Sequence, residues 1–199
     1  MLPEENNPFK IFKLWYDEAK TKLDPEYAVS ASLATAYKDG TPDVRMILVK
    51  QWDESGFYFY TNYKSPKSQQ IEENPKGALC FYWYELGKQI RIRGLIQKVD
   101  DKTSDEYFKT RERLSQIGAW ASKQSQVLPN RLELEKRVVY YISKFSLGEV
   151  PRPNFWGGFK LIPLEIEFWI KKLYRLHERV IFKRNNPDSE FWEKFNLYP

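Results

Sequence analysis

The feature that most constrains the fold is a series of short aromatic and β-branched runs between residues 28 and 99, each bounded by turn-forming residues. "AVSASLATAY" (28–37), "VRMILVK" (44–50) and "FYFYTN" (57–62) are separated by "KDGTPD" and "DESG". Runs of this kind read as strands joined by tight turns, and their succession predicts an antiparallel meander. "GALCFYWYEL" (77–86) and "KQIRIRGLIQKV" (88–99) extend the pattern. Aromatic residues make up 17% of the chain, and their concentration in these runs predicts a β-rich core.

Helices punctuate the strands. Asn7 and Pro8 form a cap followed by proline at the first helical position, and Phe9, Phe12, Tyr16, Ala19 and Leu23 recur at helical spacing behind them. Ser65 and Pro66 repeat that start signal for a short helix in "SPKSQQIEENP", and 104–120 and 130–145 read as two further helices. A loop rich in Pro and Gly, "GEVPRPNFWGGF" (148–159), leads into the last strand candidates, "LEIEFWI" and "YRLHERVIF". No repeat or linker divides the 199 residues, so one α+β domain is expected: a closed or nearly closed antiparallel barrel with peripheral helices.

The net charge of +5 suits an anionic partner, but 27 acidic residues disperse it and no nucleic-acid motif accompanies it. A small anionic ligand is expected rather than nucleic acid or a membrane. The N-terminal "MLPEENNPFK" lacks a signal-peptide core, and no stretch approaches the roughly 18 apolar residues of a membrane span, which points to a soluble, cytoplasmic protein. Cys80 is the single cysteine and reads as a buried structural thiol. With His177 as the single histidine, the usual zinc sites cannot be assembled, and no metal is expected. G-x-G-x-x-G, Walker A and G-x-S-x-G patterns are absent, which removes the main support for dinucleotide, nucleoside triphosphate and α/β-hydrolase readings.

What remains is a set of anion-binding features, each with a plainer alternative. Lys67 adds a full charge to the dipole end of the helix that opens at Ser65. Tyr107, Arg111 and Ser115 lie at i, i+4 and i+8, near enough to one helical face to meet a phosphate, or to form a solvated face. Arg45 and Lys50 bracket an apolar segment able to lie along a flat aromatic ligand, or to be an ordinary buried strand. Gln89, Arg91 and Arg93 share one strand face opposite Ile90 and Ile92, as solvent-facing rows do. Trp156 and Trp169 read as core. If "LYRLHERVIF" is extended, Arg175, His177 and Arg179 point to one face, as two cations flanking a titratable group.

Taken together, "RMILVK", "FYTN", "SQIGAW", "SKQS", "FWGGF" and above all "IEFWIKKLYRLHER" (166–179), in that order, resemble the pyridoxine/pyridoxamine 5′-phosphate oxidase family from about Asn7 to the terminal "NLYP". The resemblance implies an FMN-binding split barrel, a Greek-key-like antiparallel β-barrel with peripheral helices, spanning 1–199. In it, 1–25 is an N-terminal helical segment and 160–199 are C-terminal strands that complete the site. It implies a homodimer with FMN at the subunit interface. Carried over by position, Arg45, Met46, Ile47, Leu48, Tyr60, Thr61, Lys67, Gln89, Gln124, Ser125, Trp169 and Arg179 match the FMN contacts. Lys50, Tyr107, Arg111, Ser115, Arg175 and His177 match the substrate contacts, with Arg175 and His177 at the reacting ring.

The activity implied is oxidation of pyridoxine 5′-phosphate and pyridoxamine 5′-phosphate to pyridoxal 5′-phosphate by hydride transfer to FMN, with O₂ regenerating the flavin and yielding H₂O₂. Two rivals remain at this point: a non-catalytic flavin or pyridoxal phosphate carrier, and a split-barrel reductase for another flavin or haem. Pro66, Ile170 and Asn196 depart from the family pattern, where arginine, a polar residue or glycine, and arginine respectively are usual.

Overall fold

A computed structural model describes residues 4–199. Residues 1–3 of the expected N-terminal helical segment lie outside the described residues. The first helix, α1 (Pro8–Lys22), starts where expected: the Asn7 side chain accepts from the Phe9 N–H at 2.9 Å and Pro8 occupies the first turn. Phe9, Phe12, Tyr16 and Ala19 are buried along its stripe, joined by Ile11 and Trp15, while Leu23 is partly buried. A second helix, α2 (Pro25–Val29), uses the same cap-and-proline signal, with Asp24 accepting from Glu26 and Tyr27. It shortens the expected first strand to β1 (Ser30–Ala36).

The other strands are β2 (Pro42–Leu48), β3 (Gln51–Asp53), β4 (Gly56–Asn62), β5 (Lys76–Trp83), β6 (Lys88–Lys98), β7 (Trp156–Ile170), β8 (Glu178–Lys183) and β9 (Glu193–Leu197). All pair antiparallel in one sheet, in the order β2-β1-β5-β6-β7-β4-β3, with β8 added to β7 and β9 to β8. The expected meander is therefore corrected. β1–β2 and β3–β4 are separate hairpins at opposite ends of this order, because β4 finds its long-range partner in β7 instead of β2. The sheet curls until β2 approaches β4 without pairing to it, a half-barrel open along one seam.

Strand β7 organises the molecule. Its first part, 156–161, pairs with β4, its last part, 165–170, pairs with β8, and β6 runs along nearly all of it. Inside the curl, α1 supplies Phe12 and Trp15 to an aromatic core with Phe57, Phe81 and Phe168. Burying rings of this size contributes about 3 kcal/mol each, which fixes α1 against the sheet. Cys80, expected to be buried, is only half-buried because it lies on the opposite face of β5 from Phe81. Burial still pushes its thiol pKa up.

The remaining helices are α3 (Pro66–Glu73), α4 (Asp101–Lys109), α5 (Arg113–Ala121) and α6 (Arg131–Lys144). The single helix expected over 104–120 is in fact α4 and α5 with a break at 110–112. The Thr110 hydroxyl donates back to the Tyr107 carbonyl and the Gln116 side chain caps the Phe108 carbonyl, so side chains end α4. No helix among the described residues is long and apolar enough to cross a membrane.

Candidate functional site

The open seam holds a cleft of about 1140 Å³, lined on one side by β2 and on the other by β4, with α3, α4 and α5 closing its ends. Of the expected ligands, Arg45, Met46, Ile47, Leu48, Lys50, Tyr60, Thr61, Lys67, Tyr107, Arg111, Ser115, Gln124 and Ser125 all line it. Residues from four distant stretches of sequence thus meet because the two hairpins end on either side of the seam. Pro66 is at the first position of α3 but does not line the cleft.

One wall is aromatic. Tyr60 stacks on Tyr107 with centroids 3.6 Å apart, and Trp156 continues the stack at 5.8 Å from Tyr60. The expectation that Trp156 belongs to the core holds in part: it is 7% exposed and packs on Phe108, yet it borders the cleft. Glycine at 158 makes this packing possible, since a Cβ there would lie 2.7 Å from the Tyr60 ring and 2.6 Å from Val99.

The cleft is also cationic in a specific way. Lys67 is buried, its ammonium held by the hydroxyls of Thr61 at 3.1 Å and Ser65 at 3.2 Å, with no carboxylate among the described residues bonded to it. Burial, helped by the nearby Arg45 charge, pulls its pKa down to about 8. Arg111 sits in the break between α4 and α5, its guanidinium 4.6 Å above the Trp156 ring. Its Nη1 is buried without an acceptor among the described residues, and burial lowers its pKa. A buried donor left unpaired costs about 1–3 kcal/mol, so both groups are short of an anion. A phosphate-bearing cofactor and a phosphate-bearing substrate fit these two deficits. Arg45 offers less than expected: Asp43, Gln70, Thr35 and the Leu33 carbonyl already take four of its N–H groups, leaving Nε uncommitted. Gln124 accepts from the Thr61 hydroxyl at 3.1 Å, and Ser125 is held at φ 66° beside it.

Gln89, Trp169, Arg175, His177 and Arg179 do not line the cleft. Strand register sets Gln89, Trp169 and Arg179 side by side on β6, β7 and β8. His177 packs its ring 4.6 Å from Trp169, and its Nδ1 accepts from the Lys172 N–H, which puts the proton of the neutral ring on Nε2. The extended reading of 173–182 is corrected here. Only Glu178–Lys183 is strand, while Leu173–Arg175 is a 3₁₀ turn with Tyr174 and Arg175 left-handed at φ 55° and 62°. Alternation therefore does not relate Arg175 to Arg179. Gln89, Arg91 and Arg93 do alternate with the fully buried Ile90 and Ile92, but Arg91 and Arg93 pair with Glu167 and Glu165 across the strand instead of facing solvent alone. Sequence reasoning missed Asn62, Glu112 and Ser122 at the cleft, and Glu167 beneath Arg179. Asn62 and Glu112 adjoin motif residues, whereas Glu167 needed the β6–β7–β8 register.

A curled antiparallel half-barrel with a cationic, aromatic cleft at its open seam is the split-barrel fold of FMN-binding proteins. A protein from Nostoc punctiforme, described as pyridoxamine 5′-phosphate oxidase-related and FMN-binding, superposes with a TM-score of 0.76 at 18% identity, covering 96% of this chain and 98% of its own. Residues 17–144 match the family model described as pyridoxamine 5′-phosphate oxidase, and 156–199 match the pyridoxine 5′-phosphate oxidase C-terminal dimerisation region. The chain belongs to the pyridoxine/pyridoxamine 5′-phosphate oxidase family of oxidoreductases. Proteins of that name from Brucella anthropi and Brucella canis are 47% and 48% identical, over 98% and 96% of this chain and 96% and 94% of theirs. The structure of PhzG from Burkholderia lata 383, in complex with tetrahydrophenazine-1-carboxylic acid, superposes with a TM-score of 0.90 at 28% identity, covering 98% of this chain and 94% of its own.

Proposed function

We propose that this protein is an FMN-dependent oxidase that converts pyridoxine 5′-phosphate and pyridoxamine 5′-phosphate to pyridoxal 5′-phosphate in the cytoplasm, as a single-domain homodimer. The observation that carries the reading is the pair of anion-deficient cations, Lys67 and Arg111, in one cleft behind an aromatic wall. Lys67, Ser125, Thr61 and the remaining donor of Arg45 would hold the FMN phosphate and ribityl chain, with Met46, Ile47 and Leu48 offering edge-strand backbone to the ring and Gln124 closing over it. When bound, FMN supplies the hydride acceptor for the substrate's C4′ carbon, and its reoxidation by O₂ gives H₂O₂.

Lys50, Tyr107, Arg111 and Ser115 would hold the substrate phosphate, which removes most of the orientational freedom of the ring before reaction. Gln89, Trp169 and Arg179 would reach the flavin, and Arg175 and His177 the substrate ring, from the partner subunit. Two features support that division. Gln89, Trp169, Arg179 and His177 form their own cluster away from the cleft, and all of the set except Gln89 lie within the segment that matches a dimerisation region. In addition, the edge strand β2 leaves Val44 and Met46 at 64% and 62% exposure, an apolar edge that a second copy would cover.

The substrate class is favoured by the nearer relatives, which carry the phosphate-oxidase name at 47% and 48% identity against 28% for PhzG. The test is aerobic turnover of the FMN-loaded protein, with pyridoxal 5′-phosphate and H₂O₂ appearing one for one. Turnover of a phenazine carboxylate without turnover of either B6 phosphate would overturn the substrate assignment.

A further inference from the structure

Arg179 owes its orientation to a residue without a role so far. Glu167 is 6% exposed, on the face of β7 opposite the fully buried Ile166 and Phe168. Register sets it between Arg91 on β6 and Ile181 on β8, one row from Trp169 and Arg179. Its Oε2 accepts from Arg91 Nη1 at 3.1 Å, and its Oε1 takes both Arg179 Nε at 2.9 Å and Nη2 at 2.8 Å. Arg179 Nη1 donates to the Tyr198 carbonyl at 3.0 Å. Three of the five guanidinium N–H groups are thereby committed, and two remain for a ligand.

A free arginine would have to give up its rotamer freedom on meeting a ligand. Here a buried carboxylate has already fixed it, gripping the Nε/Nη2 edge while the C-terminal backbone takes Nη1. Arg91 takes the other oxygen, Oε2, and leaves Oε1 to Arg179.

We propose that Glu167 is a positioning residue: it holds Arg179 in the orientation that presents the two uncommitted N–H groups to the flavin, so the guanidinium is ordered before the cofactor arrives. The inference rests on the reading of Arg179 as a flavin contact. The test is a double-mutant cycle in apo-protein titrated with FMN, with the dimer verified by sedimentation. Arg179→Ala and Glu167→Gln are each expected to weaken FMN binding by about tenfold, and the double variant to bind no more weakly than Arg179→Ala. Glu167→Asp, which keeps the charge with a shorter reach, should give a smaller loss with the same non-additivity. Arg91→Met, which removes the other partner of the same carboxylate, should leave affinity within about twofold. If Arg179→Ala does not change FMN affinity, the reading of Arg179 fails and takes the proposal with it. If Arg179→Ala weakens binding but Glu167→Gln does not, or the two losses add, or Arg91→Met loses as much as Glu167→Gln, then Glu167 does not act through Arg179 and the proposal alone is overturned.

Discussion

Lys67 is the residue whose chemistry is least explained by the fold alone. Its ammonium is buried against two hydroxyls with no carboxylate among the described residues bonded to it, an arrangement that costs stability unless an anion joins it. The sign of the resulting pH effect follows from the lowered pKa. The free protein releases the Lys67 proton near pH 8, whereas a bound phosphate dianion would hold that proton to higher pH. Above pH 8, FMN binding therefore requires proton uptake and weakens, by up to about tenfold per pH unit. The phosphate itself is already a dianion at neutral pH, since its second pKa is about 6. Titration of apo-protein with FMN across this range should show the decline, and Lys67→Met should flatten it while lowering affinity throughout. A flat profile in the unmodified protein would separate Lys67 from the cofactor phosphate.

At the scale of elements, the site depends on how two irregular pieces are held. The α4–α5 break sets Arg111 in a turn and not on a helical face, yet Tyr107, Arg111 and Ser115 still reach one cleft. Their grouping was legible from spacing, while the route was not, because the break depends on Thr110 and Gln116 side chains capping backbone carbonyls. The same division runs through the molecule. Asn7–Pro8 and Ser65–Pro66 announced α1 and α3, and the aromatic runs announced β1, β2 and β4 to β6, because these signals are local. The pairing of β4 with β7, and the left-handed turn at Tyr174 and Arg175, depend on contacts far apart in sequence or on conformations that non-glycine residues rarely adopt. "FWGGF" was legible as a motif but not as a packing device. Gly158 admits the Tyr60 ring, which stacks on Tyr107. Gly158→Ala is expected to destabilise the fold by about 1–3 kcal/mol, read as a lower melting temperature, and to weaken FMN binding by displacing Tyr60. Unchanged melting and affinity would show that the ring gives way freely.

At the scale of the whole molecule, β7 is shared between two jobs: its first part builds the cleft with β4 and its last part carries Trp169 beside β8. If each active site takes its cleft from one chain and Arg175 and His177 from the other, damage to the two halves must complement. Arg111→Ala and His177→Ala homodimers should each be poorly active, whereas random re-association of the two variants should restore about a quarter of the original activity, because half of the dimers are mixed and each contains one intact site. No recovery on mixing would place both sets in one chain's site. The central claim is that the chain oxidises a B6 phosphate at bound FMN, and the most direct measurement dispenses with turnover altogether. FMN-loaded dimer, mixed in the absence of oxygen with pyridoxine 5′-phosphate, is predicted to lose its visible flavin absorption in one stoichiometric step and to recover it when oxygen is admitted. Flavin that stays oxidised in the presence of saturating substrate would contradict the account and leave a protein that binds these ligands without reacting them.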